Sequence, residues 1–221
     1  MKTKNIILVL IVLIFNSCIV KSLHPFYTKE TITSDENFLG EWKDNKGATW
    51  NVTRLVEEML NEKPLDSLSK EDLKDYYKFQ HAFKVVRIKN KQKAVFLAMP
   101  FKINKQVFLD FTPFEIESNL SGQSLLKNHY VSVHSLVKYD VFPNGNIGFK
   151  WLDEDKIESL FEQKKIKIKH EKIGFYNHKY LLTAQPEELQ KFIKKYMASS
   201  DTEKWKTSIE FTLTKTNEKS K

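Results

Sequence analysis

One cysteine, Cys18, occurs in 221 residues. No disulfide can form within the chain, so its fold must be held by burial and hydrogen bonding. Arginine is nearly missing, with Arg54 and Arg87 alone among 36 basic residues. Nucleic-acid surfaces gather Arg and Lys with aromatics on one face; here the basic residues are scattered, and no nucleic-acid partner is expected. The formal charge of +8 has two readings, attraction to anionic headgroups or an acidic partner, and a solvated lysine-rich surface. The scatter favours the second. Only 6 glycines occur, and none builds a phosphate-cradling loop; a serine nucleophile elbow and a Cys–His pair are missing too. No enzyme activity and no cofactor is expected from such a sequence. No apolar run reaches the ~20 residues that cross a bilayer. What is plentiful is apolar, with 41% hydrophobic residues and 16 phenylalanines, which fits one substantial core and not a disordered chain.

The first residues read as an export signal. Lys2 and Lys4 are the positive start, Ile6 to Phe15 the apolar stretch, and Asn16 and Ser17 a short polar exit. A sole cysteine directly after that stretch resembles the lipobox of bacterial lipoproteins. The resemblance implies a signal peptide over 1–17, and Cys18 as the new first residue, carrying a diacylglyceryl thioether and an N-acyl chain (palmitate or similar). A single acyl chain binds membranes marginally, whereas two or more hold firmly. The implied address is the bacterial cell envelope, lipid-anchored in the outer membrane. "IVKS" after Cys18 lacks an acidic stretch that resembles a surface-export signal, so the domain is expected to face the periplasm. Residues 18–37 follow as a lipidated start and polar tether, in which "SLHPFYTKE" reads as a segment packed extended on the domain.

A single β-rich domain is expected over 38–216, with 217–221 as a frayed tail. Period-2 alternation marks strands. "FQHAFKVVRI" puts Phe79, His81, Phe83 and Val85 on one face. "VFLDF" sets Val107, Leu109 and Phe111 against Phe108 and Asp110. "YVSVHSLVKYDV" separates Val131, Val133, Val137, Tyr139 and Val141 from Ser132, His134, Lys138 and Asp140. Asn144-Gly145 is a strong hairpin signal, and "IGFKW" is its return strand. Runs near 165–173, 178–184 and 207–215 extend the series. Three helical stretches interrupt it: an insertion at 54–75, "DEDKIESLFEQKK" with Asp155 and Glu158 as a capping box, and "QPEELQKFIKKYM" with Pro186 in its first turn. Consecutive strands joined by short turns predict a mainly β fold, an antiparallel barrel or strongly curved meander sheet with two or three flanking helices.

Gly40 and Trp42 in "LGEWKD" enter the first strand of that barrel. The pair resembles the first-strand signature of lipocalins and related barrels. The resemblance implies a lipocalin-like barrel whose floor is closed by Trp42, packed against a basic residue near the last strand. The alternation with Glu41 and Lys43 turns the indole inward, within reach of Phe211 or Leu213. Five segments, "SLHPFYTKE", "FLGEWKD", "FLDFTPFE", "WLDEDKIESLFEQKKIKIKHEK" and "LLTAQPEELQKFIKKYM", are similar to an uncharacterised lipoprotein family found mainly in Bacteroidota. That resemblance implies a family context and brings no activity or ligand. Asp66-Ser67-Leu68 resembles a periplasmic O-glycosylation triplet, which would place a glycan on Ser67.

Candidate sites are few. His129 and His134 fall on opposite strand faces; His170 and His178 would meet only across a hairpin, and none of the six histidines has zinc-ligand spacing. Asp153, Asp155 and Glu158 are explained by helix capping, and Asp110 and Glu115 have no defined separation. The aromatics are more suggestive. A lipid or small apolar ligand inside the barrel would meet Phe108, Tyr130, His134 and Trp151, whereas the same aromatics also suit a filled barrel with no cavity. Two functions follow: a non-enzymatic envelope lipoprotein binding a small or lipidic ligand in its barrel, or one docking an envelope protein through its outer surface.

Overall fold

The computed structural model of the chain describes residues 19–115, 130–174 and 179–216, with the side chains of Glu62 and Glu115 left out. The expected signal peptide, lipidated Cys18, His129, His178 and the tail from 217 lie outside the described residues. Eight strands close a barrel: β2 (Gly40–Asp44), β3 (Thr49–Arg54), β4 (Phe83–Lys89), β5 (Gln92–Ile103), β6 (Gln106–Glu115), β7 (Ser135–Val141), β8 (Ile147–Trp151) and β11 (Glu210–Lys215). Every neighbouring pair is antiparallel, and β11 closes the ring by pairing with both β8 and β2. The meander expected from alternation is the one that forms.

Two of the expected runs leave it. β9 (His170–Ile173) and β10 (Lys179–Leu182) pair with each other and with β1 (Lys21–Ser22), which runs parallel to β10, in a separate three-stranded sheet. Among the described residues four α-helices flank the strands: α1 (Leu55–Glu62), α2 (Lys70–Phe79), α3 (Glu154–Glu162) and α4 (Pro186–Ala198). The insertion between β3 and β4 is thus two helices parted by Pro64 and a 3-10 turn at Leu65–Ser67. Proline has no N–H to continue a helix, and Ser69 restarts it by accepting from Asp72 N at 3.1 Å. Because α2 runs to Phe79, that residue and His81 precede the strand they were expected to share. The cap of α3 is Asp153, which accepts from Lys156 N at 3.0 Å, in place of Asp155.

Alternation along the strands divides most apolar residues between two large cores, beside a small third cluster of Leu55, Ala82 and Met99. Leu109 and Phe111 of β6, and Val137 and Tyr139 of β7, point into the barrel. Phe108 and Leu136 point outward, under α3 and α4, where Ile157, Leu189, Ile193 and Trp205 cover them. The tether residues belong to this outer core as well. Ile19 bridges Asp153, Val20 N donates to Leu152 O at 3.1 Å, and Ser22 and His134 exchange backbone bonds of 2.9 and 2.8 Å. Val20 and Phe26 are fully buried. Residues from Ile19 to Phe26, ahead of the start expected at 38, therefore pack as a strap across the barrel wall.

Candidate functional site

The barrel interior is filled. Phe149 sits at its centre with the rings of Phe38, Trp50, Tyr139, Phe111 and Trp151 at 5.2, 5.7, 5.9, 6.1 and 6.1 Å. At one end Trp42, 2% exposed, donates from Nε1 to Phe38 O at 2.9 Å. Lys215, its partner on β11, holds Nζ 5.6 Å from the indole. Gly40 opens that strand at φ +110, where a Cβ would stand 3.4 Å from Lys215 Cε. Phe211 lies at the other end, 5.6 Å from Trp50, and does not meet Trp42.

That other end is closed by charge. Asp44, with no exposed side-chain surface, accepts from Ala48 N at 2.8 Å, Lys46 N at 2.9 Å, Trp50 Nε1 at 2.9 Å and Arg87 Nη2 at 3.0 Å. Burial alone would raise its carboxyl, but the bonds from Trp50, Ala48, Arg87 and Lys46 outweigh it and hold the group below the usual carboxylate range. The Arg87 guanidinium lies against both the Trp50 and Phe211 rings, at 5.4 and 5.1 Å from their centres. Of the two alternatives the aromatics leave open, the filled barrel is the one present.

The four candidate ligand residues do not converge. Phe108 is outside the barrel, stacked 5.6 Å from Phe101. Trp151 is inside and donates to Ser135 Oγ at 3.2 Å. Tyr130 is 44% exposed. His134 Nδ1 lies 2.6 Å from Asp110 Oδ1 and 3.0 Å from Thr112 Oγ1, while Asp110 Oδ2 accepts from Phe26 N at 2.7 Å. This pair fastens the strap to the barrel wall, and burial with the nearby Asp110 charge pushes the Tyr27 phenol up to about 12. The neighbouring hydroxyl, Ser22 Oγ, is turned to Leu182 O. Among the described residues, no three His, Cys, Asp or Glu side chains gather as metal ligands.

What the fold does assemble lies on the outer core's rim. After α3, Lys164 adopts φ 54, and Lys164 N and Lys165 N donate back to Phe161 O and Leu160 O, each at 2.9 Å. This reversal, a common helix ending, sends residues 165–169 alongside α4. Ile166 and Ile168 alternate with lysines there. Together with Leu160, Phe192 and Tyr196 they form the apolar floor of a groove of about 680 Å³. Lys164, Lys165, Lys167 and Lys169 line it from one side, and Lys191 and Lys195, one helical turn apart on α4, from the other. Its two acids are engaged: Glu188 accepts from Gln185 N at 3.2 Å, and Asp201 meets Lys156 Nζ at 2.6 Å. Among the described residues, none of the six lysines has an acidic partner. A larger cleft, about 1050 Å³, mixes Lys29, Lys74 and Lys78 with Glu30 and Glu187, and so prefers neither sign.

No family model, curated protein or solved structure matches this chain. The groove's chemistry therefore rests on its own residues: ammonium groups for an anion, and an apolar floor for a hydrocarbon chain. Sequence reasoning passed over these lysines as a scattered solvated surface. Two signals were there to find, the Lys/Ile alternation of "KKIKIK" and the spacing of Lys191 and Lys195 on the polar face of an amphipathic helix.

Proposed function

We propose that the chain is a non-catalytic bacterial envelope lipoprotein that takes a lipidic ligand with an anionic head, held in the lysine-rimmed groove on its outer surface. The ligand expected inside the barrel is moved there because ring contacts fill the interior and both barrel ends are closed. The carrying observation is the coincidence of six lysines, none with an acidic partner among the described residues, with a floor of Leu160, Ile166, Ile168, Phe192 and Tyr196. In this reading the signal of 1–17 is removed, Cys18 is acylated, and the domain stands at the outer membrane facing the periplasm, as in the Bacteroidota lipoproteins that its segments resemble. The barrel is then a rigid frame, and the partners are the membrane, an anionic lipid, and no cofactor or nucleic acid.

Two variants test this. Cys18→Ala should leave the membrane pellet and appear soluble or unprocessed; a variant that still pellets with unchanged mobility in high salt sinks the anchor. For the groove, the full chain is purified from native membranes and its co-purifying lipids and proteins are identified by mass spectrometry. An anionic lipid should accompany the wild type and be lost from Lys191→Glu/Lys195→Glu. The same lipids on both proteins would end the ligand reading, and loss of an acidic protein in place of a lipid would favour docking of an envelope partner.

A further inference from the structure

The strap leaves no slack between an acylated Cys18 and the barrel. Consecutive Cα atoms are about 3.8 Å apart, and Ile19 is already bridged to Asp153 and packed against the barrel core. Val20, Ser22 and Leu23 are each tied by backbone bonds within the next four residues. A lipid at residue 18 is therefore attached to a rigid body and not to a tether.

The attachment point also identifies one end of the barrel. Ile19 lies where β8 gives way to α3, and Trp151 N at that edge donates to Ile209 O at 3.1 Å. Next to Ile209, Ser208 O accepts from Lys46 Nζ at 3.2 Å, which brings in the β2–β3 turn. The β4–β5 turn at 90–91 closes the same end, because strands alternate in direction around the ring. Lys46 and Lys91 are exposed there. Nearby acids are mostly answered: Asp44 by Arg87, Glu210 by Lys150 at 3.4 Å and Glu203 by Lys206 at 3.0 Å. Asp153 caps α3 and Glu154 is buried, leaving Asp155, among the described side chains, as the exposed acid beside Ile19.

We infer that the part of this end formed by Ile19 and the turns at 45–48 and 90–91 faces the bilayer and its anionic headgroups. The inference rests on acylation of Cys18 as proposed above. The opposite end, with the turns at 104–105 and 142–146, then points away from the membrane, and the domain has a fixed orientation in place of a swinging one.

The test uses the full-length chain in vesicles of phosphatidylethanolamine and phosphatidylglycerol, some carrying bromine on their acyl chains. A polarity-sensitive fluorophore is attached at Lys91→Cys or, at the far end, at Asn144→Cys, and intact mass reports acylation of Cys18. Brominated lipid should quench the label at 91 and spare the label at 144. Inserting a 20-residue Gly/Ser linker before Ile19, with a span of about 25 Å, should restore emission at 91. An acylated protein whose two labels respond alike, or whose label at 91 ignores the linker, overturns the orientation alone. A chain whose mass carries no acyl group overturns the anchor and the orientation with it.

Discussion

The two hydrophobic cores share a wall and end differently. Inside the barrel, alternate residues of eight strands fill the space ring against ring, and each mouth is closed by an aromatic–cation pairing, Trp42 with Lys215 and Trp50 with Arg87. Outside, Phe108, Leu136 and Trp205 are covered by helices and strap, but the cover stops at α4, where the rim is lysine over apolar floor. A core closed on every side contributes stability and offers nothing to bind. Along the lysine rim Ile168, Phe192 and Tyr196 are already buried, and Leu160 and Ile166 are the half-buried side chains that a ligand would cover.

The sharpest way to break this contrast is Trp42→Ala. It removes a buried indole, its bond to Phe38 O and the surface under Lys215, and should cost about 3–5 kcal/mol, a large share of a domain's stability. Denaturant unfolding of the Cys18→Ala chain measures it, and a midpoint within error of the parent would mean that this mouth is not closed by the ring. A smaller loss, about 2–3 kcal/mol, is expected for Asp44→Asn, which leaves Arg87 and the Trp50 N–H without their carboxylate. Its pH dependence follows from sign. The folded Asp44 carboxyl is held low, and the unfolded one titrates near about 4. Its contribution is complete above that pH and is lost as pH falls through the depressed folded value. Unfolding midpoints measured across the acid range should therefore fall less steeply for Asp44→Asn than for the parent; parallel curves would deny the carboxylate this role. The smallest effect belongs to the open edge. Lys191→Glu/Lys195→Glu changes exposed residues and should shift stability by less than about 0.5 kcal/mol while losing the lipid. If stability falls with the lipid, these lysines belong to the core after all.

Local rules carried the barrel a long way. Residues such as Leu109, Val137 and Phe149 announce their faces by alternation, and Asn144-Gly145 sets its hairpin because φ > 0 is required there, 80° at Gly145. α4 was legible from its apolar stripe and first-turn proline. What escaped were facts of chain separation. Nothing near Asp44 points to Arg87, which is 43 residues away, and nothing in "SLHPFY" says that Phe26 N will reach Asp110, 84 residues on. β9 and β10 alternate as barrel strands do, and only their pairing with a two-residue strand from the strap sets them apart. The groove failed for the same reason, since "KKIKIK" and the lysines of α4 become one site only when α4 folds back beside it.

β11 has a consequence for assembly. It is the last barrel strand in chain order, and both of its partners, β8 and β2, are far from it in sequence, Lys215 standing opposite Trp42. Until it docks, β2 and β8 are open edges with unpaired N–H and C=O groups. A chain emerging N-terminus first therefore carries two adhesive borders for the whole time that α3, β9, β10 and α4 take to arrive. Non-local pairings of this kind close slowly, on the order of milliseconds to seconds. Ring closure thus races against strand pairing between neighbouring chains.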